Sequence, residues 1–395
     1  MSLVITSYKR TPFGSFGGGL SSLSATDLGV IASEAALKES NLVPDSVDSV
    51  CFGNVCQSSS DAIYLARHIG LRVGLPVDRP ALTVNRLCGS GFESIAQAGM
   101  QILLGNEKCC LVGGTESMSQ IPFVLRKARF GYRLGNSEVE DYLQCSLTDS
   151  YTKLPMAMTA ERVGEKYKIS RLEVDDYALE SQTRYASAKS EGIFKSEITP
   201  VSLPSKKETL QLSDDEHPRP KSTLESLSSL PSLFKKEGLV TAGNASGICD
   251  GAAALVVADE DWAKSQGLPI LAKIHSWAAV GCLPEEMGMG PVGAILKAIS
   301  KLPESLKIKS VKDFKLVEVN EAFSAQYLAV EKELGLERSR TNIHGGAIAM
   351  GHPLAASGTR LTGHLALSLK KMGGGVGVAS ACIGGGQGMA VVIEV

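Results

Sequence analysis

Hydrophobic and polar positions alternate with two different periods along the chain, and this predicts strands and helices that follow one another. Through residues 1–118, segments typical of buried strands (VDSVCFGNV, ALTVNRL and KCCLVGG) are separated by segments typical of helices (DAIYLARHIG and GFESIAQAGMQILLG). Short apolar runs between turn residues favour strands, whereas an apolar face that recurs every three or four residues favours a helix. The alternation predicts layers of α/β structure.

The pattern changes in the middle of the chain and then returns. Residues 119–240 carry scattered charge, Pro-containing stretches and helical pieces such as RLEVDDYALESQTRYASAKSEG, which are typical of an inserted lid or loop region. From GNASGICDGAAALVVADE onward the alternation resumes and continues to the end. We therefore predict an N-terminal half over residues 1–118, completed by about residues 241–270, a loop domain over 119–240 and a C-terminal half over 271–395.

The two α/β stretches look like copies of one another. Placing CGSGF, which starts at Cys88, over AASGT, which starts at Ala355, also places KCCLVGGT over VGVASAC and, within one residue, Asn54 over Asn320. Each copy then consists of a strand, a turn, a helix that begins at Ser-Gly, and a strand. Chance similarity between segments rich in Gly and Ala is the alternative. A true duplication would place the active site between the halves.

Composition limits the class of protein. The chain has 395 residues, of which 44% are hydrophobic and 21% charged, so it can form one large or two ordinary globular domains. The formal charge of −2 gives no reason to expect nucleic acid or an anionic membrane as the main partner, and no apolar run reaches the length of a membrane span. The nine cysteines include no CxxC pair, which argues against a disulfide framework or a structural zinc site and favours reduced thiols.

The N-terminal segment allows two interpretations. Residues 1–26 contain Lys9 and Arg10 but no acidic residue, and they are rich in Ser and Gly, as organelle-targeting segments are. The stretch from Leu3 to Tyr8 also has the pattern of a first β-strand, which we favour. An uncleaved signal could be both.

Reactive residues stand beside glycines at two of the predicted turns. Cys88 in NRLCGSG opens a predicted helix, whose dipole and free N–H groups would favour the thiolate and make it the best nucleophile candidate. Gly89 and Gly91 would let an acyl group approach backbone donors. His352 in GGAIAMGHP, a stretch whose glycines predict a loop, could accept the thiol proton near neutral pH, with His344 as the competing choice.

A third reactive residue, Cys382, ends GVGVASAC and precedes the glycine-rich IGGGQG. A second thiol near the first could exchange a proton with carbon, and the N–H of Gly384 could contribute to an oxyanion hole. Asn320 in VEVNEAF could hold a water or a carbonyl oxygen, or cap the helix that follows. Glu321 beside it could orient His352 or cap that helix. We interpret the other seven cysteines as structural.

Together these motifs resemble the thiolase family over essentially the whole chain. NRLCGSG, GGTESMS, TAGNASG, NEAF, GGAIAMGHP and CIGGGQG occur in the family's order and spacing. The segments QSSSDAIYLARHIGLRVG and LPMAMTAE are most similar to the branch that acts in mitochondrial fatty-acid β-oxidation. Pro155 stands where short-chain acetoacetyl-CoA thiolases usually carry His, which argues against that branch.

The resemblance implies a fold and a mechanism. The fold is the α/β thiolase fold, with two duplicated αβαβα layered halves and a loop domain over the CoA site. Cys88, after losing its proton to His352, would attack C1 of a 3-ketoacyl-CoA, and Cys382 would protonate the departing acetyl-CoA carbanion. Free CoA, deprotonated by Cys382, would then release the shortened acyl chain. His352 and a water held by Asn320 would form one oxyanion hole, and the N–H groups of Cys88 and Gly384 the other.

The resemblance also implies which residues bind CoA, which acts as a substrate, with no metal and no tightly bound cofactor. The matching positions are Ser246 for pantetheine, Met156, Met287 and Phe323 for the apolar channel, and Arg219 for the adenine and phosphate end. The stretch 206–236 could attract the nucleotide at long range or be an ordinary solvated loop. We expect a homodimer or homotetramer in the mitochondrial matrix, with the cytoplasm as the alternative.

Two positions depart from the family pattern, and two other functions compete. Ala355 stands where the family usually has Gly, and His344 where it usually has Asn, so loop geometry or rate could differ. An acetyl-CoA C-acetyltransferase that makes acetoacetyl-CoA is the nearest alternative. A ketoacyl synthase would pair Cys88 with two histidines, or with His and Asn, rather than with Cys382. A noncatalytic lipid-carrier relative would have lost catalytic residues, and none is lost here.

Overall fold

The computed structural model describes residues 2–203 and 210–395. The longer strands are β1 (Leu3–Arg10), β2 (Ser49–Gly53), β3 (Ala81–Val84), β4 (Cys109–Ser117), β5 (Cys249–Asp259), β6 (Ala272–Gly281), β7 (Leu316–Val319), β8 (Val376–Ile383) and β9 (Gln387–Glu394). The longer helices are α1 (Ala25–Glu39), α2 (Leu65–Arg72), α3 (Ser90–Leu103), α4 (Met156–Lys166), α5 (Arg171–Ser190), α6 (Gly290–Ile299), α7 (Ser324–Leu334) and α8 (Leu354–Lys371).

Shorter elements complete the chain. The short helices are Tyr142–Ser146, Leu224–Ser228, Glu260–Ser265 and Ala347–Met350. The short strands are Gly14–Ser15, Phe123–Val124, Glu140–Asp141, Thr148–Asp149, Leu154–Pro155, Val201–Leu203 and Leu210–Leu212. Within the described residues, no helix combines the length and apolar character that a membrane crossing requires.

The strand order confirms the predicted duplication. The strands are ordered β7-β8-β9-β6-β1-β5-β4-β2-β3. In the first half β2 is parallel to β4, and β4-β5-β1 are antiparallel. In the second half β7 is parallel to β8, and β8-β9-β6 are antiparallel. Because β1 and β6 pair at Leu3–Ile5, the two halves meet at equivalent strands.

Helices α3 and α8, which the alignment makes equivalent, pack against one another between the halves. Phe92 of α3 and Leu361 of α8 belong to one buried core with side chains from the strands of both halves. A Cβ at Gly91 would lie 2.5 Å from the Thr359 nitrogen, and one at Gly358 would lie 2.5 Å from the Phe92 nitrogen. The repeated Ser-Gly therefore lets two helix backbones touch. With α1 and α2 on the outer face of the first half of the sheet and α6 and α7 on the outer face of the second half, the layers are αβαβα, as predicted.

Buried ion pairs connect the long insertion between β4 and β5 to the first strand. Arg10 at the end of β1 is 0% exposed, and its guanidinium binds the carboxylates of Glu197 and Asp215, each at 2.7 Å. His364 of α8 lies 2.8 Å from the same Glu197. Arg10, considered above as a targeting charge, thus joins the first strand to the insertion.

Some local expectations need correction. The helix predicted in DAIYLARHIG begins only at Leu65, after a single 3₁₀ turn at Ala62–Tyr64. The loop predicted around His352 contains the one-turn helix Ala347–Met350, which fits between Gly346 and Gly351. Ala355 lies in the first turn of α8 with ordinary helical backbone, so the Gly usual there is not needed for a special angle.

Candidate active site

Cys88 lies in a tight turn between β3 and α3. Leu87 before it has φ of 47°, which is uncommon for a residue with a side chain and costs on the order of 1 kcal/mol. The turn is held by the Asn85 side chain, which accepts the Leu87 N–H at 2.9 Å, and by the Gly89 N–H, which donates to the Arg86 carbonyl at 2.9 Å. The strained turn presents Cys88 just ahead of the helix.

Cys88 differs from the sequence-based expectation in its acidity. Burial raises the pKa of its thiol to about 11, although the N–H groups of Gly384 and of Cys88 itself act in the opposite direction. The thiol therefore needs a base. Gly89 and Gly91 also allow close packing, since a Cβ at Gly89 would lie 2.4 Å from the Ile383 side chain and one at Gly91 would lie 2.5 Å from the Thr359 nitrogen.

His352 is buried, and its hydrogen bonds define its tautomer. Nδ1 lies 2.6 Å from the Ser357 hydroxyl, which itself donates to the Pro353 carbonyl at 3.0 Å. Since the hydroxyl has one hydrogen, it accepts from Nδ1–H, and the lone pair is on Nε2. Burial, assisted by the charge of Arg360, lowers the pKa of His352 to about 3. The imidazole is therefore a neutral base whose Nε2 lone pair, which faces the Asn320 amide at 3.3 Å, can take a proton.

Asn320 follows β7 and lies beside this base. Its Nδ2 is 3.3 Å from Nε2 of His352, and its backbone N–H donates to the Ser380 carbonyl at 2.9 Å. Within the described part of the chain, its Oδ1 is buried without a hydrogen-bond partner. A buried acceptor of this kind is satisfied by water or by a ligand. The position suits an amide that holds a water.

Cys382 lies near the end of β8, where the sheet places it close to Cys88. It is 1% exposed, and burial raises the pKa of its thiol well above the ordinary range. The charge of Cys88 acts in the same direction, which requires the two thiols to be near one another. Gly384 follows two residues later, and a Cβ there would be 3.2 Å from the side chains of both Leu87 and Met156.

The predicted apolar channel residues surround Cys382. Met287 packs in one cluster with Cys382 and with the partly buried Met156 and Phe323. Ser246 lies next to this cluster, since its N–H donates to the Ala322 carbonyl at 3.0 Å. The structure thus brings together the catalytic candidates and the residues expected to contact pantetheine.

Arg219 lies on an exposed loop of the insertion. Its Nη1 donates to carbonyls of its own loop, at 2.8 Å for His217 and 3.2 Å for Glu216, and its backbone N–H donates to the Gln182 side chain at 2.8 Å. The loop is ordered by these bonds. Of the basic stretch 206–236, residues 206–209 lie outside the described residues.

Two candidates named from the sequence act elsewhere. Glu321 does not cap the helix that follows it and makes no hydrogen bond to the His352 side chain. It accepts the hydroxyls of Tyr177 and Ser181, both at 2.7 Å, and the Ile348 N–H in the short helix Ala347–Met350 at 3.2 Å. His344 is directed to His364, with 3.1 Å between ring nitrogens, and burial lowers the pKa of His344 to about 4. His352 is therefore the base candidate of this loop.

Sequence reasoning missed Ser357, which sets the tautomer of His352. Its signal was weak, because a serine in the first turn of a helix is an ordinary residue for that position. Among the described residues, no group of three or more His, Cys, Asp or Glu side chains could hold a metal ion. The nine cysteines are free thiols.

Comparison with known proteins yields one consistent family. The family models described as thiolase, N-terminal domain, and thiolase, C-terminal domain, match residues 3–261 and 268–395. The chain is 54% identical to the human mitochondrial 3-ketoacyl-CoA thiolase over 99% of this chain and 97% of that protein. It is 43% identical to an acetyl-CoA acetyltransferase of Chromobacterium violaceum over the full length of both. The crystal structure of the human mitochondrial 3-ketoacyl-CoA thiolase matches with a TM-score of 0.96 at 53% identity, covering 100% of this chain and 98% of that one.

Proposed function

The chain belongs to the thiolase family, and we propose that it is a 3-ketoacyl-CoA thiolase of fatty-acid β-oxidation. It cleaves a 3-ketoacyl-CoA with free CoA into acetyl-CoA and an acyl-CoA two carbons shorter. The observation that carries the proposal is the pairing of a second thiol, Cys382, with the nucleophile Cys88. We assign the neutral imidazole of His352 as the base for Cys88. Such a pair supplies both an acyl acceptor and a proton donor for carbon.

The first half-reaction transfers the acyl group to Cys88 and releases acetyl-CoA. Cys88 gives its proton to Nε2 of His352, and its sulfur attacks the 3-keto carbon. The bond between C2 and C3 then breaks, its electron pair leaves with the acetyl-CoA enolate, and the thiol of Cys382 protonates C2. Attack at C1, the expectation from the sequence, does not give this cleavage, because it would expel CoA and leave the carbon chain intact.

The second half-reaction restores the enzyme. The Cys382 thiolate takes the proton of free CoA, whose sulfur attacks the acyl carbon on Cys88. The Cys88 thiolate departs and recovers its proton from His352. Cys88 recovers its proton from His352, and Cys382, whose proton stays on acetyl-CoA, receives a replacement from free CoA, so no external acid or base is consumed.

The developing negative charges fall on two oxygens. The N–H groups of Cys88 and Gly384 lie next to the nucleophilic sulfur, so they suit the oxygen on C3. Once His352 has taken a proton, Nε2–H can donate to the thioester oxygen of the enolate, together with a water on the free Oδ1 of Asn320. We assign these as the two oxyanion holes.

Coenzyme A would reach the thiols from the insertion side. We propose that residues 119–240 form the loop domain covering it, with halves at 1–118, completed by about 241–270, and at 271–395. Met156, Met287 and Phe323 would surround the pantetheine arm beside Cys382, Ser246 would contact it, and Arg219 would meet the adenine and phosphate end. One solved structure of the human mitochondrial enzyme, 53% identical with a TM-score of 0.95, is a complex with CoA.

Cellular placement and assembly follow the relatives. Mammalian proteins 51% to 54% identical to this chain are named mitochondrial, and we assign this chain to the same organelle. We further propose a homodimer or homotetramer, which light scattering on the purified protein distinguishes from a monomer.

Chain-length specificity tests the proposed branch. The experiment is CoA-dependent thiolysis of 3-ketoacyl-CoA substrates from acetoacetyl-CoA to long chains. Efficient cleavage of medium or long chains supports the β-oxidation function. Turnover of acetoacetyl-CoA alone would instead favour acetyl-CoA C-acetyltransferase, the activity named for the Chromobacterium violaceum relative. No turnover of any chain length would refute both.

A further inference from the structure

A buried carboxylate with four N–H donors lies beside the nucleophile. Glu116, near the end of β4, is 0% exposed. Its Oε1 accepts from the Cys56 N–H at 2.9 Å and from Asn54 Nδ2 at 3.1 Å. Its Oε2 accepts from the N–H groups of Val55 and Ala355, both at 3.2 Å. An ionised carboxylate can accept all four hydrogen bonds, whereas the N–H₂ group of a Gln amide at this position would face other N–H donors.

The donors come from both halves of the molecule. Residues 54–56 follow β2 in the first half, whereas Ala355 is in the first turn of α8, three residues after His352. The same two segments lie near the nucleophile, because Cys88 and Val55 both pack against a buried cluster that includes Cys56 and Leu354. The carboxylate therefore joins the surroundings of the nucleophile to the segment that carries the base.

The strand that carries Glu116 is also fitted closely to this helix start. A Cβ at Gly114 would lie 1.8 Å from the Ala355 carbonyl oxygen, a distance that no side chain could tolerate without a shift. Gly114 brings the strand and helix together, and Glu116, two residues on, binds the helix N-terminus. An ionised carboxylate is favoured there by the helix dipole.

We propose that Glu116 is a positioning residue of the thiolase reaction, whose carboxylate connects the turn at residues 54–56 to the start of α8 and so fixes Cys88 relative to His352. This inference rests on the proposed function. Glu116 itself exchanges no proton with substrate; it acts through the backbone that it holds.

The charge of Glu116 has a second consequence. Burial raises its pKa to about 7 against the opposing N–H donors, and the neighbouring Asp250 raises it further. The carboxylate in turn raises the pKa of both Cys56 and Cys88. In protonated Glu116 an O–H group would face N–H donors, and this would weaken the hydrogen bonds that connect residues 54–56 to the start of α8. Turnover should therefore fall as pH drops through about 7, although His352, with a pKa of about 3, still remains neutral.

The first test compares Glu116→Gln and Glu116→Asp with Glu107→Gln as a matched control. Glu107 precedes the same strand at its other end, where it accepts from the Ser49 hydroxyl at 2.8 Å. We expect Glu116→Gln to lower kcat by about 10- to 100-fold, since small misplacements of reacting groups cost this much. KM for CoA should stay within about twofold, the acidic limb near pH 7 should disappear, and Glu116→Asp should restore part of kcat. Glu107→Gln should match the wild type.

The second test needs no turnover. Removing the negative charge should lower the pKa of Cys88, so iodoacetamide should label Cys88 faster in Glu116→Gln than in the wild type at equal pH, even though thiolysis is slower. Labelling is followed as a function of pH, because a lowered pKa shifts the pH profile of the rate, whereas greater access from a structural defect raises the rate without shifting the profile. Wild-type kcat and pH profile in Glu116→Gln, or slower labelling of its Cys88, would overturn the proposal. If Glu116→Gln does not fold, the test rests on Glu116→Asp, which should show a smaller reduction of kcat than that expected for Glu116→Gln. A wild-type kcat in Glu116→Asp would then refute the proposal. If the wild type lacks thiolysis, the proposed function fails while the labelling test of Glu116 still stands.

Discussion

The hydrogen bond from Nδ1–H of His352 to the Ser357 hydroxyl, at 2.6 Å, is predicted to be worth a large part of the catalytic rate. Ser357→Ala removes the acceptor that places the proton on Nδ1 and leaves Nε2 as the base. The imidazole is buried, so the N–H that loses its partner stays without water. Leaving a buried donor unpaired costs about 1–3 kcal/mol.

That free energy converts directly into an expected rate. At about 1.4 kcal/mol per tenfold change, the loss corresponds to roughly 5- to 150-fold in kcat if it is expressed in the transition state. The alternative tautomer, with hydrogen on Nε2, cannot accept the Cys88 proton. We therefore expect kcat to fall within this range while KM for CoA changes little, because the channel residues around Cys382 are untouched.

Steady-state thiolysis of a medium-chain 3-ketoacyl-CoA is the assay. Thr362→Val is the matched control, since Thr362 is a buried residue of the same helix whose hydroxyl donates to the Gly358 carbonyl at 2.9 Å, within the helix rather than to His352. It should retain wild-type kcat. Ser357→Ala with kcat within twofold of the wild type would refute the assignment of the tautomer and of its role.

Two further predictions concern stability. His352 is neutral in the folded protein, with a pKa of about 3, whereas a His in the unfolded chain takes a proton below about pH 6.5. Between these pH values, the contribution of His352 to the free energy of unfolding should therefore fall by about 1.4 kcal/mol for each pH unit of acidification. In urea unfolding, His352→Asn should lack this part of the pH dependence, and an unchanged slope would contradict the buried neutral base. Gly114→Ala should lower the free energy of unfolding by at least about 1–3 kcal/mol, because its Cβ would meet the Ala355 carbonyl oxygen, as measured by thermal unfolding. Gly281→Ala, where the nearest atom is 3.9 Å from the added carbon, should change it by no more than about 0.5 kcal/mol, and equal effects at the two sites would contradict the close-approach argument.

The duplicated fold could be predicted from the sequence because its signal is local. A Ser-Gly pair occurs in the first two turns of both α3 and α8, and the contacts of Gly91 and Gly358 explain why: each glycine faces the backbone of the other helix. Cys88 and His352 could be proposed as site residues in the same way, since reactive side chains beside glycines at turns are visible in one stretch of sequence.

The electrostatics could not be predicted, because they depend on segments far apart in the chain. Cys88 has the helix start that should lower its pKa, yet burial by the folded chain raises it. Glu116 gains its donors from residues 60 and 239 positions away, and Arg10 its carboxylates from 187 and 205 positions away. None of these partners is marked by spacing or composition, so the buried charges appear only in three dimensions.

The most direct test of the central claim is to identify the covalent intermediate. The protein is mixed with 3-ketooctanoyl-CoA, quenched in acid before free CoA is added, and mapped by peptide mass spectrometry. We predict a hexanoyl group on Cys88, released when CoA is supplied before the quench, and no such group in Cys88→Ala. An acyl group on Cys382 or elsewhere, or thiolysis by Cys88→Ala, would contradict the account.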